Sequence, residues 1–134
     1  MDWKLELVAV PVSDVDRAKH FYAERLGFAV DHDTTVSEDM RIVQLTPPGS
    51  ACSIAVSTGV VHTPPGSAQG LQLVVPDIDA ARAQLVERGV EVGAVKHFDG
   101  SGFVEGRGGD WNSFVFFSDP DGNGWILQES PARG

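Results

Sequence analysis

The sequence predicts an α+β fold built from two tandem βαβββ modules, and three observations predict it. The first is internal repetition: Val12-Ser13-Asp14-Val15-Asp16-Arg17-Ala18 is echoed at a constant offset by Val75-Pro76-Asp77-Ile78-Asp79-Ala80-Ala81. The second is that each echoed segment follows an apolar, strand-like run and continues as a short amphipathic helix down to a glycine, Gly27 and Gly89. The third is that strand-like runs separated by turn residues follow each helix. The modules span 5–56 and 70–129, with 57–69 as a linker, inside one domain covering 1–134. A half-domain of this size cannot bury its own apolar face, so the copies must pack on each other or on a second chain. The cleft between copies is the place to seek function.

In the first module, Leu5 to Val12 is an almost unbroken apolar run after Glu6, the pattern of a strand covered on both faces, with Pro11 marking an edge or a strand end. Ser13 or Asp14 then caps a helix whose first turn holds Asp16, favourable at the positive end of the helix dipole. Val15, Ala18, Tyr22 and Leu26 form its buried stripe, and Gly27 stops it. Phe28 to Asp33, Met40 to Thr46 and Ala51 to Val56 follow as strands, the last two separated by Pro47-Pro48-Gly49-Ser50. The second module repeats the plan: Leu71, Leu73 and Val75 alternate in a strand, and Ile78, Ala81 and Leu85 form the helical stripe. After a strand from Val90 to Lys96 comes a glycine-rich stretch, Phe98 to Trp111, too polar and broken for a strand and read as a lid or exposed loop. Ser113 to Ser118, the turn Asp119-Pro120-Asp121-Gly122-Asn123-Gly124 and Trp125 to Glu129 close the chain's regular structure. In the strand before that turn both faces are apolar, Val115 and Phe117 against Phe114 and Phe116, so one face covers a helix while the other lines a cavity or a partner.

Composition narrows the function. With 134 residues and 42% hydrophobic content the chain can bury a real core. No apolar run reaches the length of a membrane span, and Met1-Asp2-Trp3-Lys4 does not begin a secretory signal, so the expectation is a soluble cytoplasmic protein with no membrane partner. The single Cys52, among apolar neighbours, reads as a small core residue rather than a nucleophile. A formal net charge of −9 opposes a nucleic-acid partner, because that affinity comes mostly from Lys and Arg on phosphates. It mildly favours cationic or neutral ligands, or serves only solubility.

Val10-Pro11-Val12-Ser13-Asp14-Val15-Asp16-Arg17-Ala18, then Phe21-Tyr22 and Leu26-Gly27-Phe28, then Asp119-Pro120-Asp121-Gly122-Asn123 carry a resemblance covering almost the whole chain. The sequence resembles the vicinal oxygen chelate superfamily, which contains glyoxalase I, the extradiol dioxygenases, and the fosfomycin and bleomycin resistance proteins. The resemblance implies that each βαβββ module curls into a half-open mixed sheet and that paired modules enclose a cavity. It also implies metal ligands in the first and last strands of each module. The matching positions here are Leu7 and Gly70 for the first strands, Ile126 for the second closing strand, and Ser53 or, on a different turn alignment, Ile54 for the first closing strand. None carries an imidazole or carboxylate, so no metal and no other cofactor is expected, and the metal-dependent chemistries of the family are disfavoured together.

What remains is a cavity turned apolar. Leu7, Ala9, Ile126, Phe114 and Phe116 are candidates for its walls, Gln72 and Gln128 for isolated polar groups in it, and Phe98, Phe103 and Trp111 for rings that stack on a flat aromatic ligand or else pin the loop to the sheet. The wall residues have a plainer alternative, which is simply to fill the barrel. His97 ends a predicted strand at the mouth of the loop bearing Asp99, Glu105, Arg107 and Asp110, and is the weak catalytic candidate, as a general base if that loop closes over substrate. His20, His32 and His62 read as solvated, and Trp3 and Trp125 as core or interface residues. The leading function is metal-independent binding that sequesters a hydrophobic, aromatic or cationic natural product, in the manner of the resistance branch. A metal-independent isomerase, cyclase or hydrolase of secondary metabolism and a ligand-free interaction module are the alternatives. In the family the sites are commonly built across a homodimer, which implies two equivalent clefts here.

Overall fold

Two aspartates fix where the helices start. Asp14 and Asp77 both sit in extended backbone, and each side chain accepts a hydrogen bond from the backbone N–H three residues on, Arg17 and Ala80, at 3.0 Å. The computed structural model describes residues 1–60 and 62–131. Val61, in the expected linker, and 132–134, at the end of the expected domain, lie outside the described residues.

The chain runs β1 (Leu7–Pro11), α1 (Val15–His20), β2 (Ala29–Ser37), β3 (Met40–Thr46), β4 (Ser53–Thr58), β5 (Leu71–Val75), α2 (Ile78–Glu87), β6 (Lys96–Phe98), β7 (Phe103–Glu105), β8 (Phe114–Ser118) and β9 (Gly124–Glu129). The strands form two mixed sheets, ordered β1-β4-β3-β2 and β5-β9-β8-β6-β7. In each, the strand before the helix pairs in parallel with the last strand of its module, and the other pairs are antiparallel. The α+β class and the two-module plan read from the repeat therefore hold. The details differ in the second module. The expected strand from Val90 to Lys96 is reduced to a bridge between Val92 and Phe117, and β6 starts only at Lys96. The expected lid from Phe98 to Trp111 contains β7, which folds back on β6 as a hairpin. In the first module, β2 runs on to Ser37 and β4 is displaced to Ser53–Thr58. No helix among the described residues is long and apolar enough to cross a membrane.

The chain divides into two compact units, Met1–Ala68 with Asp119–Asn123, and Gln69–Ser118 with the residues from Gly124 onward. In the first, α1 continues into a π-helical turn, Phe21–Arg25, in which the Leu26 N–H reaches back to the Phe21 carbonyl at 3.1 Å. Tyr22, Val15 and Ala18 are buried there, as are Val10, Val43, Leu45 and Val56 of the sheet. The turn 119–123 is locked into this unit. Tyr22 Oη donates to Asp119 Oδ2 at 2.7 Å, and Asn123 Nδ2 donates to the Pro11 carbonyl and to Asp119 Oδ2, both at 2.8 Å. Backbone N–H groups of Asp121 and Asn123 donate to Asp119 Oδ1, and Ser13 Oγ and Arg17 Nη2 donate to Asp121 Oδ1. The motif that carried the family resemblance thus acts here as a clamp whose centre, Tyr22, Asp119 and Asn123, is buried and hydrogen-bonded, with Ser13 and Arg17 closing it at the surface. In the second unit Ile78 and Leu85 of α2 are buried, together with Val115, Phe117, Trp125 and Leu127 from β8 and β9.

Candidate functional site

In the second unit, alternation and register sort the side chains onto two faces. Val115, Phe117, Trp125 and Leu127 lie on the buried side, where Phe117 and Trp125 stack at 6.2 Å. The opposite side is open. Residues paired directly across the strands share it: Gln72 beside Ile126, Val74 beside Gln128, Phe116 opposite Ile126, Phe114 opposite Gln128, Lys96 opposite Phe114, Glu105 opposite Lys96, and Phe98 opposite Phe103.

Four aromatic rings gather on that open face. Phe103 lies 5.1 Å from Phe116, 5.6 Å from Phe114 and 5.6 Å from Phe98, while Phe114 and Phe116 stack at 6.5 Å. Edge contacts of this kind suit the ring quadrupole, which favours T-shaped over face-to-face pairs. Phe98 and Phe103 each remain 49% exposed, so part of the cluster is free to meet a ligand. At the strand ends Phe116 and Ile126 also line an open groove of about 400 Å³, together with Gln69, Gly70, Phe117, Ser118, Gly124 and Trp125 from both sides of the sheet, a volume within the range of small-molecule sites. Two amides cross the same face: Gln72 Nε2 donates to Gln128 Oε1 at 2.5 Å, and Gln128 Nε2 donates to the Trp111 carbonyl at 2.8 Å.

The structure therefore brings together Gln72, Phe98, Phe103, Phe114, Phe116, Ile126 and Gln128 on one face, with the Trp111 backbone beside them. Leu7 and Ala9 lie in the first unit, on the exposed side of β1, next to Ser53 and Ala55 of β4. Beside them Thr46 Oγ1 donates to Asp31 and lies 2.6 Å from the buried Ser53 Oγ. Lys96 and Asn112 were missed in the sequence. Asn112 holds the base of the hairpin by a two-way contact with the Phe98 backbone, accepting from its N–H at 2.8 Å and donating to its carbonyl at 2.9 Å. The Asp99-Gly100-Ser101-Gly102 turn between two short aromatic runs was the signal that would have revealed the hairpin and hence the placement of Lys96.

His97 occupies the middle of β6, so it faces away from the four rings, and its Nδ1 donates to the Gly106 carbonyl at 3.0 Å. The charged residues near it in sequence have separate duties. Asp99 accepts from the Ser101 and Gly102 N–H groups, which hold its carboxyl below the usual range. Arg107 pairs with Glu129 and Asp79, and these carboxylates, Glu129's first, hold its guanidinium above its usual value. Glu129 in turn accepts from the Ile78 N–H at the start of α2, and that bond, with the Arg107 ion pair, lowers its carboxyl. Glu105 sits on the open face and Asp110 is exposed. His20, His32 and His62 are all exposed, Trp125 is core, and Trp3 is 88% exposed.

The residues at the family's metal-ligand positions do not fit a divalent cation. Leu7 and Ile126 present hydrocarbon, Gly70 presents no side chain, and Ser53 Oγ is bonded to Thr46. Among the described residues no group of three or more His, Cys, Asp or Glu is arranged to hold a metal ion.

A model of the Glyoxalase/Bleomycin resistance protein/Dioxygenase superfamily matches residues 4–127. The uncharacterized protein YetH of Bacillus subtilis (strain 168) is 29% identical over 125 residues, covering 91% of this chain and 94% of that one. Among solved structures, TnmS3, an antibiotic binding protein from Streptomyces sp. CB03234, is 35% identical with a TM-score of 0.80, covering 97% of this chain and 98% of its own. A glyoxalase/bleomycin resistance protein from the same Streptomyces strain is 37% identical with a TM-score of 0.75, covering 93% and 99%.

Proposed function

This chain belongs to the glyoxalase/bleomycin resistance protein/dioxygenase superfamily, and from that membership we propose that it is a metal-independent binding protein that sequesters a flat aromatic natural product. The observation that carries the reading is the open face of the second unit, where Phe98, Phe103, Phe114 and Phe116 adjoin a groove of about 400 Å³ with two amides at hand. Such a surface binds by stacking and by exclusion of water, and each aromatic pair contributes about 0.5–1.5 kcal/mol beyond its buried area. Orienting polar groups then set the ligand's pose. The similarity to an antibiotic binding protein over nearly the whole chain supports the resistance-type reading. The net charge of −9 supports a cationic ligand, which it would draw to the surface.

The protein acts as a homodimer in this proposal. The N-terminal residues Trp3 and Leu5 are 88% and 71% exposed, and β2 is an edge strand exposed along its length, both of which a symmetric second copy would cover. A monomeric mass in light scattering at micromolar concentration would remove that element.

The deciding experiment incubates the protein with a panel of aromatic and cationic antibiotics and analyses what it retains by mass spectrometry. A compound retained and released unchanged is the expected result. A compound released in altered form would replace sequestration by catalysis, and retention of none would remove the binding reading.

A further inference from the structure

Trp111 is the only non-glycine with positive φ among the described residues, at +60°, and a bulky side chain adopts this left-handed backbone only where its surroundings impose it. It is the third residue of a turn closed by the Asn112 N–H donating to the Gly109 carbonyl at 3.1 Å, and two further contacts bracket it. On one side its carbonyl accepts from Gln128 Nε2 at 2.8 Å. On the other, the Asn112 side chain is tied to both backbone groups of Phe98. The residue is 45% exposed, and no ring of the four-phenylalanine cluster packs on it among the described contacts.

Resting on the aromatic-ligand reading of this face, we propose that Gln72 and Gln128 are positioning residues that hold Trp111 in this conformation as a wall of the ligand site. The order of the amides has a direction. The Trp111 carbonyl can only accept, so Gln128 must turn its Nε2 toward it and its Oε1 away. Gln72 then donates to that Oε1 at 2.5 Å, which holds the Gln128 amide in place. Flipping Gln128 would set two carbonyl oxygens face to face and two N–H groups face to face, so the chain locks in one sense. Gln72 lies in β5 and Gln128 in β9, both on the sheet itself, so a rigid element sets the position of a residue in an otherwise irregular segment. The strain at Trp111 is comparable to what one hydrogen bond contributes, so the Gln128 contact adds to the Asn112–Gly109 turn hydrogen bond an anchor that ties this backbone to the sheet. The chain ends at Gln72 Oε1, an acceptor on the open face, so the ligand this site takes is a planar aromatic molecule with a hydrogen-bond donor on its edge.

The test titrates the full-length protein with proflavine, a planar cation carrying two exocyclic amines, and reads dye anisotropy. Gln128→Met, Gln72→Met and Trp111→Ala should each weaken binding about tenfold, and the Gln128→Met/Trp111→Ala double variant should bind no more weakly than either single variant. Acridine orange, its methylated analogue without those amine donors, should bind more weakly to the parent, and Gln72→Met should erase the difference. Far-UV circular dichroism of each variant should match the parent. Phe116→Ala separates the two levels of the argument. If Phe116→Ala loses binding while Gln128→Met stays within twofold of the parent, or if the Gln128 and Trp111 losses add, the positioning role is overturned and the site stands. If proflavine does not saturate the parent, or Phe116→Ala binds as the parent does, the site reading fails and the positioning role with it.

Discussion

Replacing Tyr22 by Phe removes one oxygen and nothing else. The ring keeps its edge contact with Phe21 at 5.2 Å and its stacking with Phe28 at 5.8 Å. What is lost is the 2.7 Å hydrogen bond to Asp119 Oδ2, in a site where Tyr22 is fully buried and Asp119 is 5% exposed. Removing a hydrogen bond to a charged group costs about 1.5–3 kcal/mol. Asp119 keeps the Asn123 amide and the backbone N–H groups of Asp121 and Asn123, which places the loss in the lower half, about 1.5–2 kcal/mol. Unfolding entropy of about 2.1 cal/mol/K per residue, over 134 residues, is about 0.3 kcal/mol/K, so the melting midpoint should fall by about 5–7 °C. Thermal unfolding followed by circular dichroism measures this directly. Asp119→Asn should cost less in the Tyr22→Phe background than in the parent, because the two groups share one interaction. A fall of under about 1 °C, or strictly additive losses, would refute the assignment of the motif as a buried polar clamp.

Three further outcomes follow from other parts of the molecule. Gly66→Ala should destabilise by about 2–4 kcal/mol in denaturant titration, because φ is +82° and the new Cβ would lie 2.1 Å from the Asp121 carbonyl oxygen, a backbone atom that cannot step aside without moving the clamp. Asp33 accepts from Arg41 and from Lys19, and these contacts, Arg41's first, hold its carboxyl well below the usual carboxylate range. Its contribution is whole above the unfolded carboxylate value near pH 4 and fades as pH falls toward the much lower folded value, so Asp33→Asn should cost about 1 kcal/mol or less at pH 5 to 7, and the gap to the parent should start to narrow near pH 4 and keep narrowing as the pH is lowered further. Phe103→Ala should weaken binding of an aromatic ligand about tenfold in fluorescence titration while the melting midpoint moves little, because the residue is 49% exposed on an edge strand.

The elements set by local chemistry were legible in the sequence, and those set by pairing were not. A cap at Ser13 or Asp14 was readable because a capping side chain acts on its own helix; the structure selects Asp14, and Asp77, at the matching place in the repeat, caps the second helix in the same way. The face carrying Phe114, Phe116, Ile126, Gln72 and Gln128 followed from alternation within strands whose ends were marked by turns. By contrast the π-helical turn at Phe21–Arg25 has no signature in propensity. Within it, Tyr22 donates to Asp119, a partner far along the chain that no local pattern announces. His97 was legible as the residue at the mouth of the loop, but the side of the strand it faces was not. The β6–β7 hairpin fixes its side, and three residues of β-strand set between glycines are too few for periodicity to register.

The hairpin is also where the two units part company. β1, β4, β3 and β2 correspond in order to β5, β9, β8 and β6, and β7 has no counterpart in the first sheet. Phe103, the ring that touches Phe98, Phe114 and Phe116, sits on that extra strand. The first sheet, lacking such a strand, carries the hydroxyls of Thr46 and Ser53 with Asp31 rather than a cluster of rings. A repeated half-domain keeps its shared residues for caps and core, because both copies must solve the same folding problem. Residues at which the copies differ are free of that shared demand. The inserted strand supplies the central ring of the aromatic surface, and the irregular segment after it presents the strained Trp111 held by Gln128. That is the pattern expected if the scaffold was duplicated first and the aromatic face of the second unit was added by insertion.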